Sequence, residues 1–237
     1  MPKQNWATSA LNVLIANRCL FCGSGGEAVC RGCFQDLPWL EHCCKCCALP
    51  IGAKEGICGH CQKQAPPFQH CISLWSYDFP IDKVIKDFKY QHNSAAKQFL
   101  CLQLAKLVSQ HNKHRISNFD ALLAVPSHPF KRLIRGYNQA YVLAREVSKH
   151  CTIPLIQLIK KSRWTGSQQG LGRKARLQNL ENSFQLTGPV KGMKLLLVDD
   201  VITTTSTASI ISHMLMDAGA ESVSLASLAR TPQHMTT

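Results

Sequence analysis

Apolar residues recur at two different spacings beyond residue 80. In IDKVIKDFKYQ, AAKQFLCLQLAKLV, NQAYVLAREVSKH and ASIISHMLMDAG they return every three or four residues, which is typical of amphipathic helices. The runs ALLAVP, KLLLV and SVSLASL are short and largely apolar, which is typical of buried strands. Because helices and strands alternate along the chain, the pattern predicts an α/β fold in which helices cover both faces of a parallel sheet.

The first seventy residues carry a different pattern, which is set by cysteine. Ten of the 13 cysteines fall between positions 19 and 61, mostly in C-x-x-C pairs. A two-residue spacer lets both thiolates bind one zinc ion, and four thiolates close a tetrahedral structural site. A disulfide framework is the alternative, but the N-terminal residues do not form a convincing signal peptide, and cytosolic thiols stay reduced. We therefore predict two structural zinc ions, bound by Cys19, Cys22, Cys30, Cys33, Cys44, Cys47, Cys58 and Cys61.

The run CCKCC at 43–47 leaves one pair ambiguous, because Cys43/Cys46 and Cys44/Cys47 both have the required spacing. The residues CALP resemble the C-G-x-P tail of a zinc knuckle, which favours Cys44 and Cys47. Spacing does not decide whether the ligands are used in chain order or are interleaved. The polar segment QKQAPPFQH is the expected linker. It separates an N-terminal helix and zinc module at 1–64 from a second domain at 65–237.

Composition is that of a globular protein, but its charge is unevenly distributed. The 237 residues are 45% hydrophobic and have a formal net charge of +13. Residues 131–176 hold eleven Lys and Arg against Glu146 alone. A segment of one sign repels itself, so this window predicts a polyanionic ligand such as pyrophosphate, a nucleotide or nucleic acid, with a solvated basic face as the alternative. No apolar run approaches the length of a membrane span, so we expect a cytoplasmic protein, either free or at the inner face of the membrane.

The stretch LLLVDDVITTTSTAS combines two carboxylates with a run of hydroxyl side chains. Asp199 and Asp200 follow a predicted strand, at the end of the sheet where α/β proteins bind ligands. The hydroxyl run then opens a predicted helix, whose first N–H groups favour a phosphate. A capped helix N-terminus is the alternative, but one cap needs one residue, and adjacent carboxylates repel each other. The stretch therefore predicts a ribose 5-phosphate site made of Asp199, Asp200, Thr203, Thr204, Thr205, Ser206 and Thr207.

Further cations are candidates for phosphate contacts. Arg132 and Arg135 follow the strand ALLAVP, and guanidinium groups suit phosphate oxygens. The segment 160–183 is polar, rich in Gln and contains Gly, which is typical of a mobile loop over a site. Its cations would equally suit the phosphates of a nucleic-acid strand. They are Lys160, Lys161, Arg163, Arg173 and Arg176.

Several blocks of the chain resemble known families. The acidic pair and its hydroxyl loop resemble the phosphoribosyl-pyrophosphate signature of type I phosphoribosyltransferases, although that family usually has Gly at the position of Thr205. VPSHPFKRLIRGYNQA, RWTGSQQGLGRKARLQNLENSF, Lys89 in DFKY and the cysteine pairs resemble the ComF/GntX family, in which a double zinc ribbon precedes such a domain. This resemblance implies a type I phosphoribosyltransferase-like sheet. Asp199 and Asp200 would hold ribose hydroxyls, 203–207 the 5-phosphate, and Mg²⁺ would bridge phosphate oxygens.

Three functions compete at this point. The ComF resemblance implies a cytoplasmic competence protein that binds single-stranded DNA, phosphoribosyl pyrophosphate or a nucleotide during natural transformation, with partners such as a ComFA-like helicase. The second is an active phosphoribosyltransferase with a GntX-like metabolic role, for which no segment identifies an acceptor pocket. The third is a zinc-ribbon regulator that binds nucleic acid, which leaves Asp199 and Asp200 without a purpose. The first hypothesis explains the most features of the chain.

Overall fold

The computed structural model describes residues 18–52, 56–90, 93–113, 118–127, 133, 135–161 and 183–232. The predicted N-terminal helix lies outside these residues, as do Arg132, Arg163, Arg173 and Arg176. The described helices are α1 (Arg31–Gln35), α2 (Gly59–Lys63), α3 (Ile81–Tyr90), α4 (Ser94–Lys113), α5 (Gln139–Cys151) and α6 (Ser206–Asp217). The described strands are β1 (Cys71–Ser76), β2 (Ala121–Ala124), β3 (Ile159–Lys161), β4 (Phe184–Leu186), β5 (Lys194–Ile202) and β6 (Ser222–Arg230).

The main sheet is parallel, as predicted, and its strand order is β1-β6-β5-β2. β6 lies at its centre, and all nine of its residues are buried. Leu197 in β5 pairs with Leu225 in β6, and Val198 pairs with Ala124 at the end of β2. Near-continuous burial along β5 and β6 is what a parallel sheet covered on both faces requires.

The two faces of the sheet are covered by different elements. Leu196 and Val198 belong to one hydrophobic cluster, together with buried residues of α3, α4 and α5 such as Leu143. Leu195 and Leu197 belong to a second cluster, together with α6 and the second group of cysteines. Successive side chains of a strand point to opposite faces, so the apolar run of β5 serves both clusters. The prediction of helices on both faces is therefore confirmed.

The cysteine-rich segment contains two similar units, here called the first ribbon (18–37) and the second ribbon (43–64). In each unit a turn carries the first cysteine pair, and a five-residue helix carries the second. Cys30 and Cys58 are the N-cap residues of those helices. The two units also share a backbone hydrogen bond from the first cysteine to the residue five positions later. The N–H of Cys19 donates to the carbonyl of Ser24, and the N–H of Cys44 donates to the carbonyl of Leu49. The two ribbons therefore form an internal repeat.

The connector between the ribbons covers the edge of the main sheet. Trp39 pairs with Trp75 in an antiparallel bridge, and the N–H of Leu40 donates to the carbonyl of Leu74 at 3.0 Å. The rings of Trp39 and Trp75 lie 5.4 Å apart. This pairing occupies hydrogen-bonding groups of β1 that would otherwise be exposed at an edge strand. The first ribbon packs against the cluster that contains α3 to α5, and the second ribbon against the cluster that contains α6.

A separate two-stranded sheet lies near the β2 edge. β3 and β4 pair antiparallel, with Lys160 opposite Gln185. The chain reaches β3 from Leu155, which makes an isolated parallel bridge with Leu122 of β2. Among the helices that the structure describes, none is both long enough and apolar enough to cross a bilayer.

Candidate functional site

The acidic pair lies where β5 extends beyond its neighbour. The sequence predicts a strand that ends at Val198, but β5 continues to Ile202 because β6 pairs with it along the whole length. β2 stops opposite Val198, so Asp199 and Asp200 lie beyond its carboxyl end. Carboxyl ends of parallel strands are the ligand-binding side of an α/β sheet. The position of the two carboxylates therefore suits a ligand site.

The segment 203–207, here called the phosphate loop, joins β5 to α6. Thr205 is the N-cap residue of α6, and its side chain makes no capping hydrogen bond. Its φ of −5° lies outside the left-handed region that favours glycine. A cavity of about 80 Å³ is lined by Asp199 and by residues 201–208. Free N–H groups at the start of α6 would suit an anion there.

A larger cavity of about 330 Å³ brings charges of both signs together. Asp199 and Asp200 line this cavity, and so do three cationic side chains, those of Lys89, Arg135 and Lys161. Thr203 and Thr207 of the phosphate loop line it as well. Residues from α3, the segment before α5, β3, β5 and the phosphate loop thus converge on one space.

The two carboxylates have different electrostatic environments. Lys89 Nζ lies 2.9 Å from Asp200 Oδ2, and both side chains are largely buried. Burial, followed by repulsion from Asp200, raises the pKa of Asp199 well above its ordinary value. The N–H of Asp200 donates to Asp199 Oδ1 at 2.8 Å and opposes this shift only in part. Lys89 thus balances the charge of Asp200, whereas the surroundings of Asp199 disfavour its charged form.

The end of α3 connects two of the blocks singled out in the sequence. The hydroxyl of Tyr137 donates to the carbonyl of Phe88. A guanidinium nitrogen of Arg135 donates to the hydroxyl of Tyr90 at 2.7 Å, and the guanidinium carbon lies 4.8 Å from the centre of that ring. These contacts hold DFKY against RGYNQ, which explains how Lys89 and Arg135 reach the same cavity.

A third cavity, of about 750 Å³, adjoins the one around the acidic pair. Pro126, Ser127, Asn138 and Lys161 line both cavities. Tyr141, Ile156 and Ile159 give the larger one apolar and aromatic walls, and Lys160 contributes a second cation. The sequence did not identify this space, because its walls come from segments that carry no shared motif.

The cysteines form two four-thiol clusters, in chain order. Cys19, Cys22, Cys30 and Cys33 form one cluster, and Cys44, Cys47, Cys58 and Cys61 form the other, with all Sγ atoms of each cluster within 4.8 Å of one another. The Sγ distances of 3.8 Å from Cys22 to Cys30 and 3.7 Å from Cys47 to Cys58 suit a tetrahedron with zinc–sulfur bonds of about 2.3 Å. Cys43 and Cys46 belong to neither cluster. The ambiguity of CCKCC is thus resolved by geometry in favour of Cys44 and Cys47.

Backbone N–H groups prepare one thiol of each cluster for metal binding. The N–H of Cys30 donates to Cys19 Sγ, and the N–H of Cys58 donates to Cys44 Sγ. Although burial raises the pKa of Cys19 and of Cys44, these and other backbone donors outweigh it and lower both to about 6. Zinc binds the thiolate form, so the local backbone already favours the ligand state.

Two family models match the chain. The double zinc ribbon domain matches residues 10–65, and the phosphoribosyl transferase domain matches residues 102–235. Among solved structures, a purine phosphoribosyltransferase from Pyrococcus horikoshii aligns with a TM-score of 0.37 and 17% identity, covering 59% of this chain and 77% of that chain.

Curated relatives match over nearly their whole length. Competence protein F of Haemophilus influenzae is 32% identical over 223 residues, which cover 90% of this chain and 96% of that protein. The DNA utilization protein YhgH of Escherichia coli K12 is 29% identical, covering 87% of this chain and 92% of the relative. Competence protein ComFC of Bacillus subtilis is 25% identical, covering 90% of this chain and 89% of that protein.

Proposed function

We propose a function on the premise that this chain belongs to the ComF family, the family of Competence protein F, ComFC and YhgH. The protein binds a 5-phosphoribosyl ligand, either phosphoribosyl pyrophosphate or a nucleotide, and single-stranded DNA. It acts in the uptake or utilization of DNA, with a ComFA-like helicase as the expected partner in uptake. The names of its relatives support a role in DNA uptake or utilization, and the candidate site supports a phosphoribosyl ligand.

One observation carries the ligand proposal: Asp199 and Asp200 share a cavity with Thr203, Thr207 and three cations. Carboxylates accept hydrogen bonds from vicinal ribose hydroxyls, and a helix N-terminus with hydroxyl side chains binds phosphate. Lys89 and Arg135 supply positive charge for further phosphate oxygens. A regulator that bound only nucleic acid through its zinc ribbons would have no use for this arrangement.

The same site fits a magnesium ion carried in by the ligand. Asp199 and Asp200 offer the hard oxygen ligands that Mg²⁺ prefers, and Mg²⁺ usually binds one or two carboxylates together with substrate phosphates. The ion would neutralise phosphate charge next to the carboxylates. Because Lys89 contacts Asp200, binding of a ligand to that carboxylate would require the ion pair to rearrange.

Isothermal titration tests the ligand proposal directly. We expect the purified, zinc-loaded chain to bind phosphoribosyl pyrophosphate in the presence of Mg²⁺. Asp199→Asn/Asp200→Asn should lower that affinity at least about tenfold, since hydrogen bonds to charged groups are worth about 1.5–3 kcal/mol. Asp217→Asn is the matched control, because it removes an exposed carboxylate at the far end of α6. Equal affinity in the double variant and the wild type would contradict the assignment of the site.

A parallel titration with a single-stranded oligonucleotide tests DNA binding. The cations that support it are Arg135, Lys160 and Lys161, which line the two adjoining cavities. If the phosphoribosyl ligand and the DNA share this surface, each should weaken the binding of the other. No binding of single-stranded DNA at low salt would remove that half of the proposal.

The large cavity supports a second candidate function, phosphoribosyl transfer. Its volume of about 750 Å³ and its apolar walls would accommodate an acceptor next to the acidic pair. Transfer would break the bond from ribose C1 to pyrophosphate and form a bond from C1 to the acceptor, with carboxylates stabilising the cationic transition state. The test is pyrophosphate release from phosphoribosyl pyrophosphate, with nucleobases or DNA offered as acceptors. Binding without release would restrict the protein to a binding role.

A further inference from the structure

Arg230 is a buried cation that the sequence did not single out. It ends β6 at the carboxyl edge of the main sheet, and its residue is only 3% exposed. Its backbone pairs with Ser76 of β1 on one side and with Ile202 of β5 on the other. A buried guanidinium is stable only where its donors are satisfied, so its partners show what it holds together.

The partners of Arg230 are backbone carbonyls from separate parts of the molecule. Its Nε donates to the carbonyl of Cys47 at 3.0 Å. One terminal nitrogen donates to the carbonyl of Ile202 at 3.2 Å, to that of Thr203, and to that of Thr231 at 3.0 Å. Cys47 belongs to the four-thiol cluster of the second ribbon, and Thr203 begins the phosphate loop. One planar group therefore joins a metal-binding turn to the loop of the candidate ligand site.

The bond to Thr203 constrains the direction of a loop amide. In a trans peptide the carbonyl of one residue and the N–H of the next point in opposite directions. Because the Thr203 carbonyl points to Arg230, the N–H of Thr204 points away from it. Thr204 lines the 80 Å³ cavity. Arg230 itself does not line that cavity or the larger one around the acidic pair, so any effect on a ligand would be exerted through the loop.

We propose that Arg230 is a positioning residue that couples the second zinc ribbon to the phosphate loop. Zinc in the cluster of Cys44, Cys47, Cys58 and Cys61 holds the Cys47 carbonyl in place, Arg230 bridges from it, and the loop is thereby ordered for phosphate. Within the described residues, the first ribbon packs on the other hydrophobic cluster. The consequence for ligand affinity rests on the proposed function, whereas the coupling itself does not.

Hydrogen exchange measured by mass spectrometry on the zinc-loaded full chain tests the coupling without any ligand. In Arg230→Met, amides of 203–207 should exchange about tenfold faster than in the wild type, because the bonds that hold the carbonyls of Ile202 and Thr203 are lost and the loop opens more often. Arg230→Lys keeps the charge but not the planar fork, so it should restore protection only in part. Lys194→Met is the matched control, since it removes a cation at the opposite end of β5. Unchanged exchange of 203–207 in Arg230→Met would overturn the proposal.

Zinc removal from the unaltered chain gives a second test that does not depend on how well a variant folds. During titration with a chelator, peptides 19–33 and 44–61 report release from the first and second clusters. Protection of 203–207 should be lost together with that of 44–61. If it follows 19–33 instead, or follows neither, the coupling is wrong.

Titration with phosphoribosyl pyrophosphate and Mg²⁺ then links the coupling to binding. Arg230→Met should bind at least about tenfold more weakly than the wild type, with zinc content unchanged and Arg230→Lys in between. Affinity equal to wild type would show that the loop does not need Arg230. If the wild type itself does not bind, the proposed function fails, and the exchange measurements still decide the coupling.

Discussion

At the scale of single residues, the adjacent carboxylates differ in how their charge is compensated. Asp200 is paired with Lys89, while burial and the neighbouring carboxylate raise the pKa of Asp199. If the proposed ligand binds here, the Mg²⁺ or hydroxyl donors that it brings would compensate the charge of Asp199. The two positions should therefore respond differently to the same substitution.

Replacing Asp199 should stabilise the protein, and more so as the pH rises. Because the folded-state pKa of Asp199 is raised, the folded protein binds more protons than the unfolded chain between the two pKa values. Stability contributed by this group is present at low pH and is lost as the pH rises through the folded pKa. The neutral side chain of Asp199→Asn avoids that loss. Thermal melting of both proteins across pH 4–8 should show a gap that widens with pH, and a constant gap would contradict the raised pKa.

Replacing Asp200 should instead destabilise the protein. Asp200→Asn leaves Lys89, whose side chain is 16% exposed, without its carboxylate partner. For a pair between the exposed and the fully buried extremes, we expect a loss of about 1–2 kcal/mol. Urea denaturation of wild type, Asp200→Asn, Lys89→Met and the double variant measures the coupling between the two side chains. A coupling near zero would show that the ion pair does not stabilise the fold.

At the scale of elements, long periodic segments were predictable and short strands were not. The four long helices and strands β2, β5 and β6 follow from spacing and apolar runs. β1 reads CISLWS, which mixes Ser with apolar residues, and it becomes a strand because β6 and the ribbon connector pair with it. β3 and β4 have three residues each, too few to show a period. Their pairing joins segments more than twenty residues apart, which local patterns do not encode.

The candidate site shows the same division between local and distant signals. The acidic pair and the phosphate loop form one continuous stretch, so the sequence alone indicated them. Arg230 is a lone cation after an apolar strand, and its partners Cys47 and Ile202 lie 183 and 28 positions away. Neither spacing nor composition carries such a contact.

The choice between adjacent cysteines gives an element-level prediction. Cys44→Ser should reduce the zinc content of purified protein from two ions towards about one per chain, because it removes one of four thiolates from the second cluster. Cys43→Ser should leave the content unchanged, since Cys43 belongs to neither cluster. Metal analysis of freshly reduced protein measures both. The opposite result would move the ligand set by one residue.

At the scale of the whole molecule, the ribbon connector and β3 lie near opposite edges of the main sheet. The ribbon connector covers β1, whereas Leu155 and the strand β3 that follows it lie beside β2. The part of the basic window 131–176 that the structure describes includes α5 and β3. Among its described cations, Arg135, Lys160 and Lys161 line the cavities, and Lys161 lies 5.2 Å from the centre of the Phe184 ring. Lys160 and Lys161, on β3, therefore lie near the β2 edge, away from the ribbon connector at β1.

The position of the basic window predicts how DNA binding responds to salt. If single-stranded DNA follows the basic window, a triple variant in which Met replaces each of Lys160, Lys161 and Arg163 should show a flatter slope of log affinity against log salt concentration. The expected change is about 2 units, at about 0.7 per lost phosphate contact. Binding of oligonucleotides of different sequence should weaken alike, because phosphate contacts do not read bases. Fluorescence anisotropy over a salt series measures the slope, and Lys191→Met/Lys194→Met controls for loss of charge at the far end of β5. If the control flattens the slope and the triple variant does not, the DNA lies along the amino ends of the strands, and the cavities serve the phosphoribosyl ligand alone.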